Sequence, residues 1–106
     1  MTPAEYQSFT PKTAVYPKDR ALDYLTNALA SEAGEVAGAY AKYVRGDFGP
    51  EELAERLMKE MGDVLYNISE ICNRYGWTFE DLMRENAFKL SRRLVNKTLR
   101  GDGDER

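Results

Sequence analysis

Residues 31–40 read SEAGEVAGAY and residues 59–68 read KEMGDVLYNI, and each stretch places two acidic side chains in a helix-compatible pattern of apolar residues. The acidic pairs are Glu32 with Glu35 and Glu60 with Asp63. Both pairs have i, i+3 spacing, so the two carboxylates of a pair lie on one face of a helix. The two stretches therefore predict two helices with acidic residues in matching positions.

One carboxylate of each pair falls where the helical pattern calls for a core side chain. Glu32 continues the apolar stripe of Leu22, Leu25, Leu29 and Val36. Glu60 continues the stripe of Leu53, Leu57, Val64, Ile68 and Ile71. Carboxylates are almost never fully buried unless they are paired or bound to a metal. Four carboxylates that converge in a helical core repel one another, so the pattern predicts a cation between them.

Proline, glycine and capping residues divide the chain into four helices, and no strand-like alternation is present. The predicted helices run from Thr2 to about Phe9, from about Lys18 to Arg45, from Pro50 to Gly76 and from Thr78 to about Thr98. The short connection GDFGP, residues 46–50, makes the second and third helices an antiparallel hairpin. Both acidic pairs are about equally far from this turn, so we expect them at one level.

The predicted fold class is all-α, built on this antiparallel helical hairpin. A chain of 106 residues has little core of its own. We therefore expect oligomerisation, as a homodimer or a homotetramer, to complete a four-helix-type bundle. Residues 1–100 are predicted to form the helical domain, and residues 101–106, GDGDER, a charged glycine-containing tail.

The chain contains no histidine and a single cysteine, Cys72. This composition excludes histidine-dependent triads, histidine-liganded zinc or iron, and an all-thiolate zinc site within one chain. A metal bound here must accept oxygen ligands, which indicates Mg²⁺, with Mn²⁺ as a substitute. The formal net charge of −3 and the lack of a long apolar run argue against nucleic-acid and membrane partners. With the single cysteine, they predict a cytoplasmic protein.

A stripe of polar and basic side chains on the predicted fourth helix is suited to binding phosphate. Asn86, Lys89 and Arg93 follow one another at spacings of three and four residues and therefore share a face. Lysine and arginine at such an edge can reach phosphate oxygens. The alternative interpretation is a solvated basic face with no ligand.

With these residues identified, the chain resembles the MazG-like all-α nucleoside triphosphate pyrophosphohydrolases. The signature of that family is E-x-x-E, a helix–turn–helix spacer and E-x-x-D, which here is residues 32–35 and 60–63. The strings LASEAGEVAG, KEMGDVLYNI and ENAFKLSRR are similar to the family's local patterns. The tail GDGDER is similar to the GxGDxR ending of small stand-alone members. The resemblance covers the chain from about Tyr6 onward.

This resemblance implies Mg²⁺-dependent hydrolysis of a nucleoside or deoxynucleoside triphosphate to the monophosphate and pyrophosphate, by an oligomeric enzyme. The implied metal ligands are Glu32, Glu35, Glu60 and Asp63. Glu32, expected deepest on its stripe, is predicted to take the proton from the attacking water. The implied substrate-binding residues are Asn86, Lys89, Arg93 and Asn67. For Asn67, a hydrogen bond within the bundle is the alternative interpretation.

Two other functions are compatible with the same residues. A related pyrophosphohydrolase acting on phosphoribosyl-ATP, dUTP or dCTP shares the hairpin and the acidic cluster but differs in substrate. A non-catalytic helical interaction module keeps the fold and uses the acidic groove to bind a partner. The complete set of four acids favours an enzyme, because a binding module has no need of every metal ligand.

Overall fold

A computed structural model of the protein describes residues 1–106. It contains four α-helices and no strands, which confirms the all-α fold class. The helices are α1 (Pro3–Phe9), α2 (Ala21–Arg45), α3 (Pro50–Tyr75) and α4 (Phe79–Val95). Short 3₁₀ turns at Thr10–Thr13 and Lys18–Arg20 lie in the connection between α1 and α2.

Helix starts follow local side-chain chemistry. In the capping box of α1, the Thr2 hydroxyl accepts the Glu5 amide at 3.1 Å and the Glu5 carboxylate accepts the Thr2 amide at 2.8 Å. Thr78 and Asp81 form the same reciprocal pair at the start of α4. These bonds satisfy amides that have no intrahelical acceptor. Pro50 stands at the first position of α3, where its missing amide proton costs nothing.

Glycines in the left-handed backbone conformation end α2 and α3, and the first of them allows the hairpin turn. Gly46 has φ 92° and Gly76 has φ 74°, a region that is unstrained for glycine. The amide of Asp47 then donates to the Lys42 carbonyl at 3.0 Å and the amide of Trp77 donates to the Cys72 carbonyl at 2.9 Å. The chain reverses within four residues after α2, so α2 and α3 pack along each other as the predicted antiparallel hairpin.

The fourth helix ends at Val95, earlier than the predicted boundary near Thr98. Lys97 adopts φ 57°, and the Thr98 amide donates to the Arg93 carbonyl at 2.8 Å. This is the hydrogen-bond pattern of a Schellman motif, which is usually formed with glycine at the left-handed position. The predicted boundary was wrong because a lysine occupies that position. The second helix likewise begins three residues later than predicted, because Lys18–Arg20 form a 3₁₀ turn.

A fully buried carboxylate fastens the N-terminal segment to α3. Glu70 accepts hydrogen bonds from the Thr10 hydroxyl at 2.7 Å, the Tyr16 hydroxyl at 2.5 Å and the Asn73 amide at 3.2 Å. Burial alone would raise the pKa of Glu70, but these hydrogen bonds and nearby Arg74 outweigh burial and hold it below its ordinary value. The segment before α2 is thus fixed against the hairpin.

Gln7 docks α1 on the corner between α3 and α4. Its side-chain amide donates to the Trp77 carbonyl at 3.0 Å, and its side-chain carbonyl accepts the Phe79 amide at 2.9 Å. The Asn73 side chain donates to the backbone carbonyl of Gln7 at 3.0 Å. Polar groups at the corner are therefore satisfied by one side chain from far away in the sequence.

The hydrophobic core of the single chain is small. Tyr16, Ala21 and Leu25 form a buried cluster, against which Ala14 and Ile71 pack. The helix α4 has no packed face against α2 or α3. The radius of gyration is accordingly 16.7 Å, whereas a compact domain of this length has about 13 Å. No helix combines the length and the apolar character required to cross a membrane.

Candidate metal centre and phosphate-binding residues

Three of the four predicted acids meet across the α2–α3 hairpin. Carboxylate oxygens of Glu32, from α2, and of Glu60 and Asp63, from α3, all lie within 4.8 Å of one another. The i, i+3 spacing on α3 and the equal distance of both helices from the turn bring them to the same level. The hairpin thus concentrates negative charge between its two helices.

Burial within the cluster follows the apolar stripes. Glu32 and Glu60 are half-buried, whereas Asp63 is exposed. Partial burial first, and then the charges of Asp63, Glu60 and Glu35, raise the pKa of Glu32 above its ordinary value. The contributions of the neighbouring carboxylates to this raised pKa mean that the ionised cluster carries unfavourable repulsion in the folded protein.

Glu35 stands slightly apart from the other three acids. It is exposed on α2 and lies outside the group of oxygens that share the 4.8 Å limit. Its charge nevertheless contributes to the raised pKa of Glu32, so it is near the cluster. Glu35 is therefore placed at the edge of the site, on the side open to solvent.

The donor set fits a hard divalent cation. Carboxylate oxygens are preferred ligands of Mg²⁺ and Mn²⁺, and no nitrogen or sulfur ligand lies in the group. Two oxygens bound to one Mg²⁺ at about 2.1 Å are at most about 4.2 Å apart. The cluster therefore needs only small side-chain rotations to close around an ion. The exposed side leaves room for water and for substrate oxygens.

A tyrosine that the sequence analysis did not single out is influenced by the charge of the cluster. Tyr6, on α1, is half-buried, and its ring centroid is 6.2 Å from that of Phe79. Burial first, and then the charge of Asp63, raise the pKa of Tyr6 above its ordinary value. No local sequence signal placed Tyr6 there, because its position depends on the docking of α1 by Gln7.

Asn67 is buried one turn beyond Asp63. Its side-chain amide donates to the backbone carbonyl of Asp63 at 2.9 Å, and 4% of the residue is exposed. This bond is the intrahelical arrangement that was the alternative to a substrate contact. In the single chain, the Asn67 side chain is thus directed along its own helix.

The predicted phosphate-binding residues lie on α4, away from the acidic cluster. Asn86 is exposed and, with Lys89 and Trp77, lines a cleft of about 500 Å³ at the corner between α3 and α4. Because α4 has no packed face against the hairpin, one chain does not bring this stripe and the carboxylates together.

The tail makes direct contact with two of these residues. Asp104 accepts a hydrogen bond from the Lys89 ammonium group at 3.2 Å and lies 3.4 Å from the Arg93 guanidinium group. Bonding to Lys89, and then to Arg93, holds the pKa of Asp104 below its ordinary value. The sequence analysis noted the GxGDxR pattern of the tail but did not predict this contact.

A helical hairpin with E-x-x-E on one arm and E-x-x-D on the other, in which three of the four acids converge, is the arrangement expected of an all-α nucleotide pyrophosphohydrolase. The sequence model of the MazG nucleotide pyrophosphohydrolase domain matches residues 20–96. The chain therefore belongs to the MazG family, whose members are hydrolases of phosphoric anhydrides and generally depend on a divalent metal.

Two relatives cover much of the chain. The Gene 37 protein of Mycobacterium phage L5 is 30% identical over 109 aligned residues, which span 95% of this chain and 96% of the relative. The uncharacterized protein YvdC of Bacillus subtilis (strain 168) is 38% identical over 73 residues, which span 62% of this chain and 69% of the relative. No solved structure matches the chain.

Proposed function

We propose that the protein is a Mg²⁺-dependent nucleoside triphosphate pyrophosphohydrolase that converts an NTP or dNTP to the monophosphate and pyrophosphate. The supporting observation is the convergence of Glu32, Glu60 and Asp63 within 4.8 Å in a chain of the MazG family. Mn²⁺ accepts the same oxygen ligands and would substitute.

In the proposed reaction, a water oxygen forms a bond to the α-phosphorus. The bond from that phosphorus to the oxygen bridging the α and β phosphates breaks, and pyrophosphate leaves with the electron pair. Glu32 takes the proton of the attacking water, since it is half-buried and its carboxylate lies within 4.8 Å of the Glu60 and Asp63 oxygens. The proton is later released to solvent on the exposed side of Asp63.

Glu32, Glu60 and Asp63 would hold the cation, with Glu35 at the solvent side. A bound Mg²⁺ supplies charge neutralisation for the phosphate oxygens and lowers the pKa of water. The carboxylates fix the position of that charge, and the half-buried Glu32 and Glu60 are less open to water than Asp63. Four carboxylates carry more negative charge than one divalent ion neutralises, so a second ion is compatible with the set.

The cationic stripe of α4 would reach the substrate in an oligomer. Exposed apolar side chains follow the helices of the single chain, and on α4 Met83, Leu90 and Leu94 are 62%, 44% and 65% exposed. Such a stripe normally packs against another element. A second copy that covers α4 would bring Asn86, Lys89 and Arg93 to the acidic cluster of its partner, in a homodimer or homotetramer.

The oligomer is tested with Leu94→Asp. Since α4 has no packed face within its own chain, this change should leave helix content by circular dichroism unaltered. It should reduce the mass measured by sedimentation equilibrium to that of one chain. A wild-type protein that is monomeric at concentrations of about 100 μM would contradict the shared site. Val15→Asp, which adds the same charge at a 94% exposed apolar side chain outside α4, serves as the matched control.

The activity is tested by product analysis with Mg²⁺ across NTPs, dNTPs and phosphoribosyl-ATP, including dUTP and dCTP. We expect a monophosphate and pyrophosphate from at least one substrate, and a kcat about 100- to 10,000-fold lower for Glu32→Gln. Glu51→Gln, an equal charge change at the exposed start of α3, is the control. Release of a diphosphate and inorganic phosphate would contradict the reaction. Absence of turnover with every nucleotide would favour the non-catalytic interaction module.

A further inference from the structure

The tail, residues 101–106, folds over the cationic stripe of α4 and is held there by hydrogen bonds of Arg106. Arg106 donates to the backbone carbonyls of Thr98 at 3.0 Å, Leu99 at 3.1 Å and Gly103 at 2.7 Å. These bonds fold residues 101–106 back on the end of α4. Gly101 and Gly103, at φ 144° and 84°, permit the sharp reversal.

The folded tail occupies the hydrogen-bonding groups that a phosphate would use. The Nη2 group of Arg93 donates to the Asp104 carbonyl at 3.1 Å and to the Gly103 carbonyl at 3.4 Å, and lies 3.4 Å from the Asp104 carboxylate. The same carboxylate oxygen accepts from Lys89 at 3.2 Å. One carboxylate oxygen of Asp104 therefore lies between the Lys89 and Arg93 side chains, as a phosphate oxygen would.

The closed arrangement leaves Arg93 incompletely satisfied. Its side chain is only 8% exposed, and its Nε group is buried without a hydrogen-bond acceptor. A buried donor with no acceptor costs free energy. The Nε and Nη2 groups form a planar fork that a tetrahedral phosphate can bind with two oxygens, whereas the tail engages Nη2 alone.

The tail holds these cations weakly. Asp104 is 79% exposed, and ion pairs with an exposed partner are strongly weakened by solvent and salt. A polyphosphate carries several negative charges where Asp104 carries one. The competition between the two therefore favours the polyphosphate once it can approach.

We propose that residues 101–106 form a displaceable strap in which the Asp104 carboxylate occupies the place of a substrate phosphate oxygen on Lys89 and Arg93. The polyphosphate of the substrate displaces Asp104, and Arg93 becomes accessible only when the strap opens. This inference rests on the proposed function, in which Lys89 and Arg93 bind substrate phosphates. It adds that Asp104 competes with the substrate phosphates for Lys89 and Arg93.

The experiment measures the binding of inorganic tripolyphosphate to the full chain by calorimetry, in EDTA. Without divalent metal, the acidic cluster repels the ligand, so binding reports on the cationic pair. We expect Asp104→Asn to tighten binding about 3- to 5-fold, since one exposed ion-pair contact is removed from the competing state. Asp102→Asn is the matched control, because Asp102 carries the same charge but contacts only the Gly103 amide.

A second variant loosens the strap and leaves Asp104 in place. Arg106→Ala removes the three bonds that fold the tail, and it should tighten tripolyphosphate binding in the same direction as Asp104→Asn. In ¹⁵N NMR spectra of the wild type, the resonances of Gly101 and Gly103 should sharpen and move toward unfolded positions as tripolyphosphate is added.

Three results would overturn the strap. The first is equal affinity of Asp104→Asn and Asp102→Asn for tripolyphosphate. The second is weaker binding by Asp104→Asn, which would make Asp104 a residue that positions the cations. The third is a tail whose NMR resonances do not change at saturation. These readouts need no turnover. If tripolyphosphate opens the strap in a protein that has no pyrophosphohydrolase activity, the proposed function is refuted and the strap is not.

Discussion

Removal of one charge from the acidic cluster should stabilise the metal-free protein and abolish its response to magnesium. The change is Glu32→Gln, which keeps the shape of the side chain. Two carboxylates have oxygens within 4.8 Å of Glu32. At that separation each repels it by about 0.9 kcal/mol in water, and salt at 0.1 M reduces the sum to about 1 kcal/mol.

The assay is thermal unfolding followed by circular dichroism, with EDTA or with 5 mM MgCl₂. A gain of about 1 kcal/mol corresponds to a rise in Tm of about 5 °C for a domain of this size. If the Kd for Mg²⁺ is about a tenth of the added concentration, the wild type gains about 1.4 kcal/mol from the ion. Glu32→Gln should therefore melt above the wild type in EDTA and lose most of the magnesium-dependent rise.

The control is Glu85→Gln, which makes the same change in net charge on an exposed turn of α4 without touching the hairpin. It should keep the Tm in EDTA within about 2 °C of the wild type and retain the full response to magnesium. The reasoning is refuted if Glu32→Gln melts at or below the wild type in EDTA. It is equally refuted if Glu32→Gln still shows the wild-type rise with magnesium, because the acids would then be structural.

Further predictions concern acid stability and the hairpin turn. The pKa of Glu70 lies below its ordinary value, so its stabilisation is complete above the ordinary glutamate pKa and is lost as the pH falls through the lowered value. Urea unfolding at pH 7 and pH 4 should therefore show a smaller loss of stability for Glu70→Gln than for the wild type, and an equal loss would contradict the role of this carboxylate. Gly46→Ala should cost about 1 kcal/mol because alanine is strained at φ 92°, whereas Gly49→Ala, at φ −87°, should change the free energy of unfolding by under about 0.5 kcal/mol.

Elements encoded by short-range chemistry were predictable from the sequence. The starts of α1, α3 and α4 depend on capping boxes or on proline at the first position, and the ends of α2 and α3 depend on single glycines. All of these signals lie within a few residues of the boundary that they define. The exceptions are the end of α4, where Lys97 takes a left-handed conformation that glycine usually adopts, and the start of α2, where Lys18–Arg20 form a 3₁₀ turn.

Contacts between distant segments were not predictable in this way. Asn73 meets Gln7, and Glu70 meets Thr10 and Tyr16, across more than fifty residues of sequence. The residue types in the two segments do not identify which side chains will pair, because many polar side chains could accept hydrogen bonds from the same donors. The position of Tyr6 on the docked helix α1 follows from these contacts, and the effect of the Asp63 charge on its pKa was missed for the same reason.

Glu70 and the acidic cluster differ in the partners of their carboxylates. Glu70 is fully buried, yet both of its oxygens accept hydrogen bonds from hydroxyl or amide groups. Its charge is therefore stabilised without any ion, and its pKa falls. At the cluster, by contrast, the nearest charges to Glu32 are other carboxylates, and its pKa rises.

Burial alone would have assigned Glu70 and the cluster to one category, since carboxylates are rarely buried without a compensating partner. The difference is that protein donors compensate Glu70, whereas no protein hydrogen bond or ion pair reaches the side-chain carboxylates of Glu32, Glu60 or Asp63. Selection for stability alone would remove such repulsion, and one substitution suffices. The repulsive arrangement is therefore explained best by a ligand that supplies positive charge, which is the reason to measure magnesium binding before any other property.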